Sequence, residues 1–571
     1  MKILGIKYGG HDTSAALMID GKLIAACAQE RYTKDKHSRK FPLEAINDCL
    51  KIGGISLDQI DEIAYVNDIK TFLKEIYVKP ALRSFSRLKF LFEDFGKFLT
   101  LFNTEKIVRK KLNYKGTINF YRHHLCHIAS AYYPSGFENA LCISLDGMGE
   151  NETGMIAEGN FGKIKILNVN NLYPDSLGLF YSAITDYLGW KHHCDEGIIM
   201  GLAPFGNPYE TIPETNKSYK EAFDEILIEK NEFEFKVNLD YVDYYSTRDK
   251  WVTKKFKRLF GEKRKHSDPI TNHHKNIAAA LQLKLESFVI KKLKAAKKKY
   301  NYNKLCLAGG VALNCSMNGK IEQSKIFDEI YVQPASADDG CAIGACYLAH
   351  QKNKKEKFFS TPNYNSYLGS RYTDDEIEKE LKNSEINYSK SLNIFKETAD
   401  QLNKGKIIGW FQGASEFGPR ALGNRSILCK PYPAQMKDHL NNQVKFRENF
   451  RPFAPAVLSE YQKDFFEINQ DSFHMLIASK VKEDKKEIIP AVVHIDKSAR
   501  VQTVNKNSNK RFYKLLKEFY DLTNIPVLLN TSFNVKGQPI VNDPRDAIET
   551  FKKTKIDILS IGNFLLTKEN I

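Results

Sequence analysis

The chain has 571 residues, a net charge of +16 and 42% hydrophobic residues, with 36 Phe and 28 Tyr among them. That length exceeds one ordinary core and points to two or more domains, and the apolar content excludes a disordered chain. No apolar run reaches the roughly 18 residues of a membrane span, no signal-type block opens the chain, and ten cysteines scattered singly without a CxxC pair fit a reducing cytoplasm.

Residues 2–7 (KILGIK) read as a first strand, followed by a Gly9-Gly10-His11-Asp12 turn, a second strand SAALMI, a reversal at Asp20-Gly21 and a third strand KLIAACAQE. The same unit returns near residue 140 as ALCISLD, the turn GMGENETG, MIAEG and IKILNV. Two such hairpin units predict a duplicated α/β fold whose turns cradle phosphates beside a central cleft. In Leu305–Asn318 (LCLAGGVALNCSMN) a strand enters Gly309-Gly310 and then a helix, so the amides there and Asn314 are candidates for a nucleotide. A strand DEIYVQP then delivers Ser336–Gly340 into the small-residue helix CAIGACYLA. Each is also explained by a plain strand-to-helix turn, but their order after the two hairpins predicts an actin- and sugar-kinase-like ATP fold. Residues 351–372 are polar and irregular, a linker. A second α/β unit follows, with strands expected at Lys406–Phe411, Pro490–Ile495 and Ile525–Leu529.

Three constellations carry chemistry. His123 and His127 lie one turn apart if RHHLCHIASAYY is helical, and Asp146 and Asp338 each end a strand. Two imidazoles with two carboxylates suit Fe²⁺, Mn²⁺ or Zn²⁺, with iron the first choice. His124 is the look-alike neighbour. A cationic set gathers in the C-terminal part: Arg420 and Arg425 in GPRALGNRS, Lys445, Arg447 and Arg451 in KFRENFRPFAP, and Arg500 in KSARVQT. Guanidinium forks match phosphate, while surface helices carrying solvated arginine are the plain alternative. Asn530-Thr531-Ser532 closes a strand with three polar groups suited to a phosphate or carbamoyl cradle. His11-Asp12 is either a general base beside the cleft or a turn with a local hydrogen bond. The lysine clusters Lys254–Arg258 and Lys297–Lys299 read as solvated faces, and no nucleic-acid or membrane partner is expected.

Taken together, GHDTSAA, QERYTKDKH, HHLCHIASAYY, SLDGMGE, MGLAPFG, LAGGVALN, ASADDGCAIG, EFGPRALGNRSIL, KFRENFRPFAP and LLNTSFNVKGQPIV resemble the O-carbamoyltransferases, from residue 2 to about 565. That family tailors nodulation factors and antibiotics. The resemblance implies a metal- and nucleotide-binding transfer domain over 1–352, a linker at 353–372 and a carbamoyl-adenylate-synthase-like α/β domain over 373–571. It implies that ATP, with Mg²⁺, and carbamoyl phosphate react in the C-terminal domain. Arg420, Lys445, Arg447, Arg451, Arg500, Asn530, Thr531 and Ser532 would hold the anions there. Carbamoyl-adenylate would then be handed to the N-terminal domain. There His123, His127, Asp146 and Asp338 would hold the metal, and Asp12, Lys36, Gly309, Gly310 and Asn314 would bind the nucleotide. His11 would assist attack by the hydroxyl of a sugar-like or secondary-metabolite acceptor. One departure stands out: Ile198 occupies a position where the family often has Lys, and the adjacent WKHHCD adds two histidines as a candidate acceptor-loop feature. A sugar kinase of the same superfold leaves residues 400–571 unexplained. A tRNA threonylcarbamoyl-transfer enzyme would not normally carry its adenylate-forming domain at this end. A homodimer is left open.

Overall fold

A computed structural model describes residues 1–82, 85–245, 250–353 and 365–568. The chain folds as two compact units: 1–24, 39–42 and 49–364 in the first, and 25–38, 43–48 and 365–571 in the second. Residues 354–364 of the expected linker lie outside the described residues. The N-terminal segments 25–38 and 43–48 group with the C-terminal part, whereas the sequence reading kept all of 1–352 together. Such a long-range partnership leaves no local mark in the sequence.

The first unit is built around two five-stranded sheets. One contains β1 (Lys2–Lys7), β2 (Ser14–Ile19), β3 (Lys22–Ala28), β4 (Glu62–Val66) and β5 (Thr117–Tyr121) in the order β3-β2-β1-β4-β5. The other contains β6 (Asn139–Leu145), β7 (Glu152–Asn160), β8 (Lys163–Leu172), then β11 (Lys304–Ala308) and β12 (Glu329–Val332), in the order β12-β11-β6-β7-β8. Counting within each sheet, both run third-second-first-fourth-fifth, with antiparallel hairpin strands on one side and parallel strands on the other. This is the duplicated actin- and sugar-kinase-like fold. Between β8 and β11 in sequence comes a short β9–β10 hairpin (Leu227–Glu229, Phe235–Val237).

Among the helices of this unit are α1 (Phe85–Glu93), α2 (Phe95–Phe102), α3 (Thr104–Leu112), α4 (His123–Ser135), α5 (Leu177–Tyr187), the long α6 (Asn272–Tyr300), α7 (Cys315–Gln323) and α8 (Cys341–Asn353). Side chains cap several of them: Ser176 accepts from Leu179 N on α5, and Asn314 accepts from Met317 N on α7. Helices α4 and α8 cross at close range, because a Cβ at Gly344 would collide with the Cys126 carbonyl. The small residues of CAIGACYLA therefore let two helix backbones approach, and α8 is buried from Cys341 through Tyr347.

The second unit carries an eight-stranded mixed sheet. Its strands in chain order are β13 (Ser389–Lys390), β14 (Ile408–Phe411), β15 (Arg425–Cys429), β16 (Ala454–Leu458), β17 (Ala478–Lys480), β18 (Ser498–Arg500), β19 (Gln502–Val504), β20 (Val527–Ser532), β21 (Ile558–Ile561) and β22 (Phe564–Thr567). The sheet order is β13-β22-β21-β14-β15-β20-β16-β19, with β17 and β18 forming a separate pair. Helices α9 (Ile394–Asn403), α10 (Lys510–Thr523) and α11 (Pro544–Lys553) belong to this unit. Its core joins Trp410 and Leu428 of the sheet to Phe512, Leu516 and Phe519 of α10. The expected strand at Pro490–Ile495 is absent: Pro490 opens a 3₁₀ turn over Pro490–Val492, since it has no amide to give a ladder. The strands there are β18 and β19. The third expected strand, Ile525–Leu529, is β20, which begins two residues later and runs through Asn530, Thr531 and Ser532. Among the described residues no helix is long and apolar enough to cross a membrane, and all ten cysteines are unbridged.

Candidate metal centre and anion cluster

In the first unit, β4, β6, the segment after β12 and the start of α4 bring their ends to one point. His123 and His127, one helical turn apart on α4, direct their Nε2 atoms at each other across 3.0 Å. Asp146, immediately after β6, places Oδ2 3.2 Å from His123 Nε2 and 3.7 Å from His127 Nε2. Asp338 places Oδ1 3.4 Å and 3.7 Å from the same two nitrogens. One ligand atom from each of the four residues lies within 4.8 Å of the other three, and all four residues are buried.

Neighbouring groups orient this set. His123 Nδ1 lies 3.0 Å from Asn67 Oδ1, which can only accept, so Nδ1 carries the proton and Nε2 offers its lone pair inward. The His123 amide donates to Glu150 Oε1 at 2.9 Å. The Gly310 amide donates to Asp146 Oδ1 at 2.8 Å, and Lys7, 3% exposed, pairs with Asp338 Oδ2 at 3.1 Å. Gly309 is needed for this approach, since its φ is +90° and a Cβ there would strike the Leu145 carbonyl. Burial disfavours a charged His123, but the Asp338 and Cys341 charges and the hydrogen bonds to Asp146 and Asp338 override it and raise its pKa to about 10. Burial likewise opposes ionised Asp146, yet the bonds from His123 and His127 hold its carboxyl well below the usual range. Two facing imidazole nitrogens between two ionised carboxylates form a compact, buried donor set. The donor set fits a divalent ion of borderline character.

His124 lies outside the set. Its Nδ1 meets Ser144 Oγ at 2.8 Å and its Nε2 the Glu152 carbonyl at 2.9 Å, and burial pushes its pKa down to about 3. His11 Nδ1 lies 2.8 Å from Asp12 Oδ2, and its ring stacks on His193 at 5.4 Å. Burial opposes protonation of His11, but the Asp12 hydrogen bond and the Asp338 charge raise its pKa above the ordinary value. The local hydrogen bond read from the sequence is therefore present, and the same residue also feels the metal centre. Sequence reasoning did not single out Lys7, Asn67, Glu150 or Cys341. Cys341 forms a second candidate ligand group with His123 and His127. Its only signal was a small residue at the start of a buried helix.

The expected nucleotide residues divide. Gly309 and Gly310 shape the Asp146 turn, so the Gly310 amide is already engaged. Asn314 is engaged within the protein: its Oδ1 caps α7 through Met317 N at 2.9 Å, and it exchanges hydrogen bonds of 3.0 Å and 2.9 Å with Gln282. Lys36, expected at this cleft, belongs to the second unit. Ile198 is buried in a helix over Glu196–Leu202.

In the second unit five cations crowd together. Lys445 Nζ donates to Asn534 Oδ1 at 2.8 Å and to the carbonyls of Ser532 and Asn534 at 2.8 Å and 3.0 Å. Burial, then the charges of Arg447, Lys36 and Arg451, lower its pKa well below the ordinary value. Arg447 is lowered in the same way by burial and then by Arg451 and Arg500; its guanidinium lies 4.2 Å over the Phe453 ring and donates to the Pro452 carbonyl at 3.1 Å. The nearest carboxylate partner is Glu448, 3.5 Å from Arg451 Nη1.

Other members of the expected set serve the fold. Arg425 is fully buried and donates to the carbonyls of Gln412 at 2.6 Å and Ser370 at 3.1 Å. Arg420 sits half-buried in the turn after Gly418. Asn530 Nδ2 donates to Gln502 Oε1 at 2.8 Å, in the sheet interior. Alternation along β20 turns Thr531 away from the face shared by Asn530 and Ser532, so the three cannot cradle one group together. Ser532 alone of the three reaches the cations, through Lys445.

A duplicated actin-like unit holding a buried two-His, two-Asp cluster is followed in the chain by an α/β unit in which cationic side chains gather around the buried Lys445. The chain belongs to the carbamoyltransferase family: the model of the carbamoyltransferase N-terminus matches residues 2–347, and that of the C-terminus matches residues 399–568. An uncharacterized protein of Synechocystis sp. is 38% identical over 99% of this chain and 96% of its own length. Nodulation protein NolNO of Sinorhizobium fredii is 37% identical over 98% of this chain and 79% of its own. Nodulation protein NolO of Bradyrhizobium diazoefficiens is 37% identical over 78% of each. Among solved structures, HypF of T. kodakarensis aligns over 62% of this chain and 47% of that one, at 13% identity and a TM-score of 0.30.

Proposed function

We propose that this chain is an ATP-dependent O-carbamoyltransferase that activates carbamoyl phosphate in its second unit and transfers the carbamoyl group to a hydroxyl at its first. In the second unit water cleaves carbamoyl phosphate to carbamate and phosphate. The carbamate oxygen then attacks the α-phosphorus of ATP, giving carbamoyl-adenylate and releasing pyrophosphate. The acceptor hydroxyl attacks the carbamoyl carbon, AMP leaves, and the hydroxyl proton passes to a base.

The observation that carries this reading is the gathering of the buried Lys445 with the partly buried Lys36, Arg447, Arg451 and Arg500, where burial first and the neighbouring charges second push the pKa values of Lys445 and Arg447 down. Cations held close together and partly out of water favour an anion with several oxygens among them, and guanidinium forks match phosphate bidentately. Ser532 and Asn534 hold the Lys445 ammonium in place, where it contributes positive charge to the cluster.

In the first unit His123, His127, Asp146 and Asp338 would hold a divalent ion, Fe²⁺ the first choice, with Mn²⁺ or Zn²⁺ as alternatives. When bound, the ion supplies Lewis acidity to the adenylate phosphate. Lys7 neutralises one of the two carboxylates, leaving the loaded site positive toward an anionic adenylate. His11, held by Asp12, is positioned to take the acceptor proton. The acceptor would be a small hydroxylated molecule, a sugar or secondary metabolite. A sugar kinase would not account for the carbamoyltransferase C-terminus over residues 399–568.

The test is pyrophosphate release from Mg²⁺-ATP with carbamoyl phosphate and no acceptor. Release that depends on carbamoyl phosphate and falls at least about tenfold in Arg500→Ala is expected. ATP consumption that ignores carbamoyl phosphate and requires a sugar would overturn the proposal.

A further inference from the structure

Residues 79–115 hold ten Lys and Arg against three Asp and Glu, interleaved with Phe and Leu. Helices α1 and α2 turn much of that apolar surface outward. Leu82 is 83% exposed, Leu88 37%, Phe92 70%, Phe95 52%, Leu99 43% and Phe102 69%. Leu88 and Phe92 are four residues apart on α1, and Phe95, Leu99 and Phe102 are spaced 4 and 3 on α2, so each helix presents its exposed apolar side chains on one face. Single exposed leucines are ordinary; a contiguous row of large apolar side chains marks an interaction surface.

The rest of the hairpin is held in place. Arg87, 2% exposed, donates to the carbonyls of Ile76 and Tyr245, both at 2.8 Å. Tyr77 donates to Asp94 Oδ2 at 3.1 Å, and Phe98 packs edge-on against Tyr77 at 5.8 Å. Leu101 lies in van der Waals range of a Cβ built at Gly9, in the turn that leads to His11. The outward face is therefore not an unfolded edge but the exposed side of an anchored element whose inner side packs on the transfer site's first turn.

We propose that this face docks on an anionic lipid surface. Charge argues for that occupant. The exposed Lys89 and Lys97 flank the row, and Lys106, Lys110, Lys111 and Lys115, all exposed, follow on and after α3. Cations bordering a Phe- and Leu-rich face are the pattern of a helix lying in the headgroup region of a membrane. A second copy fits less well. A two-fold contact would set one cationic border against another, and the row has five positions from Leu88 to Phe102 with a break at Asp94, short of the roughly three heptads a coiled coil needs. The sequence expectation of no membrane partner rested on the lack of a spanning segment, which does not bear on a face that lies on the bilayer.

The test is co-sedimentation of the full chain with vesicles of phosphatidylcholine alone or mixed with phosphatidylglycerol. The wild type should pellet with the mixed vesicles, at least about tenfold less with the neutral ones, and progressively less as salt rises. The double variant Phe92→Glu, Phe95→Glu should bind at least about tenfold more weakly with an unchanged melting temperature, both side chains being exposed. Equal binding to neutral vesicles, no binding to either, or wild-type binding by the double variant overturns the proposal. A concentration-dependent dimer in light scattering that the double variant abolishes also overturns it, in favour of a self-interface.

Discussion

His123 and His124 are adjacent in sequence and both buried, yet one faces two carboxylates while the other is tied to Ser144 and the Glu152 carbonyl. Replacing His123 with Ala should cut bound metal per chain at least about tenfold by elemental analysis, and Asn67→Ala should weaken metal affinity by about 10–100-fold by freeing the ring it orients. His124→Ala should instead lower stability by about 1–3 kcal/mol in urea titrations, through unpaired buried groups, with the ligand set intact. In the second unit burial holds the His474 pKa down to about 4. The unfolded chain takes up that proton near pH 6.5 and the folded chain only near pH 4. The contribution of His474 is therefore complete above pH 6.5 and is lost as pH falls toward 4. Over that window His474→Gln should flatten the slope of stability against pH by up to about 1.4 kcal/mol per pH unit. Helical spacing was enough to suggest that His123 and His127 share a face. Which residue of the pair 123/124 points inward follows from where β4 and β6 pack.

Strand and turn signals read well where the chain is locally self-consistent. The hairpins around His11-Asp12 and after Asp146, the strand before Gly309 and the small-residue helix after Asp338 all form. Pro490–Ile495 failed because an apolar run looks alike in a strand and in a 3₁₀ turn, and Pro490 decided for the turn. The polar trio at 530–532 does close a strand, but as paired residues of β20 against β15 its side chains alternate between faces. At this scale Gly344 sets how closely α4 and α8 approach. Gly344→Ala should cost about 3 kcal/mol or more, measured as a lower denaturation midpoint, because the Cys126 carbonyl cannot move away without shifting α4 and its histidines.

Across the molecule, the second unit recruits residues 25–38 and 43–48 from near the N-terminus. Arg31 Nη2 donates to the Gly418 carbonyl at 2.9 Å, and Ser370 Oγ donates to Asp48 Oδ2 at 2.6 Å, so this recruited piece is structurally bound in. It also brings Lys36 to the cation cluster. An anion that relieves the cluster's repulsion should stabilise the chain. At about a hundredfold excess over its Kd, carbamoyl phosphate should add about 2.7 kcal/mol and raise the melting temperature, and Arg447→Ala should remove most of that rise.

What the sequence by itself determined is the architecture and its parts: a repeated hairpin design, strand ends carrying Asp146 and Asp338, a histidine pair at helical spacing and a cationic set in the C-terminal part. These are local patterns, set by side-chain periodicity and turn chemistry over a few residues. Only the tertiary structure decided which groups meet. It placed the Nε2 atoms of His123 and His127 3.0 Å apart between two carboxylates, gave the Gly310 amide to Asp146 and tied Asn314 to Met317 and Gln282. It also moved Lys36 to the second unit and left an apolar row outside. Those outcomes depend on packing between segments far apart in the chain, where burial and charge act through space and leave no periodic trace in the sequence.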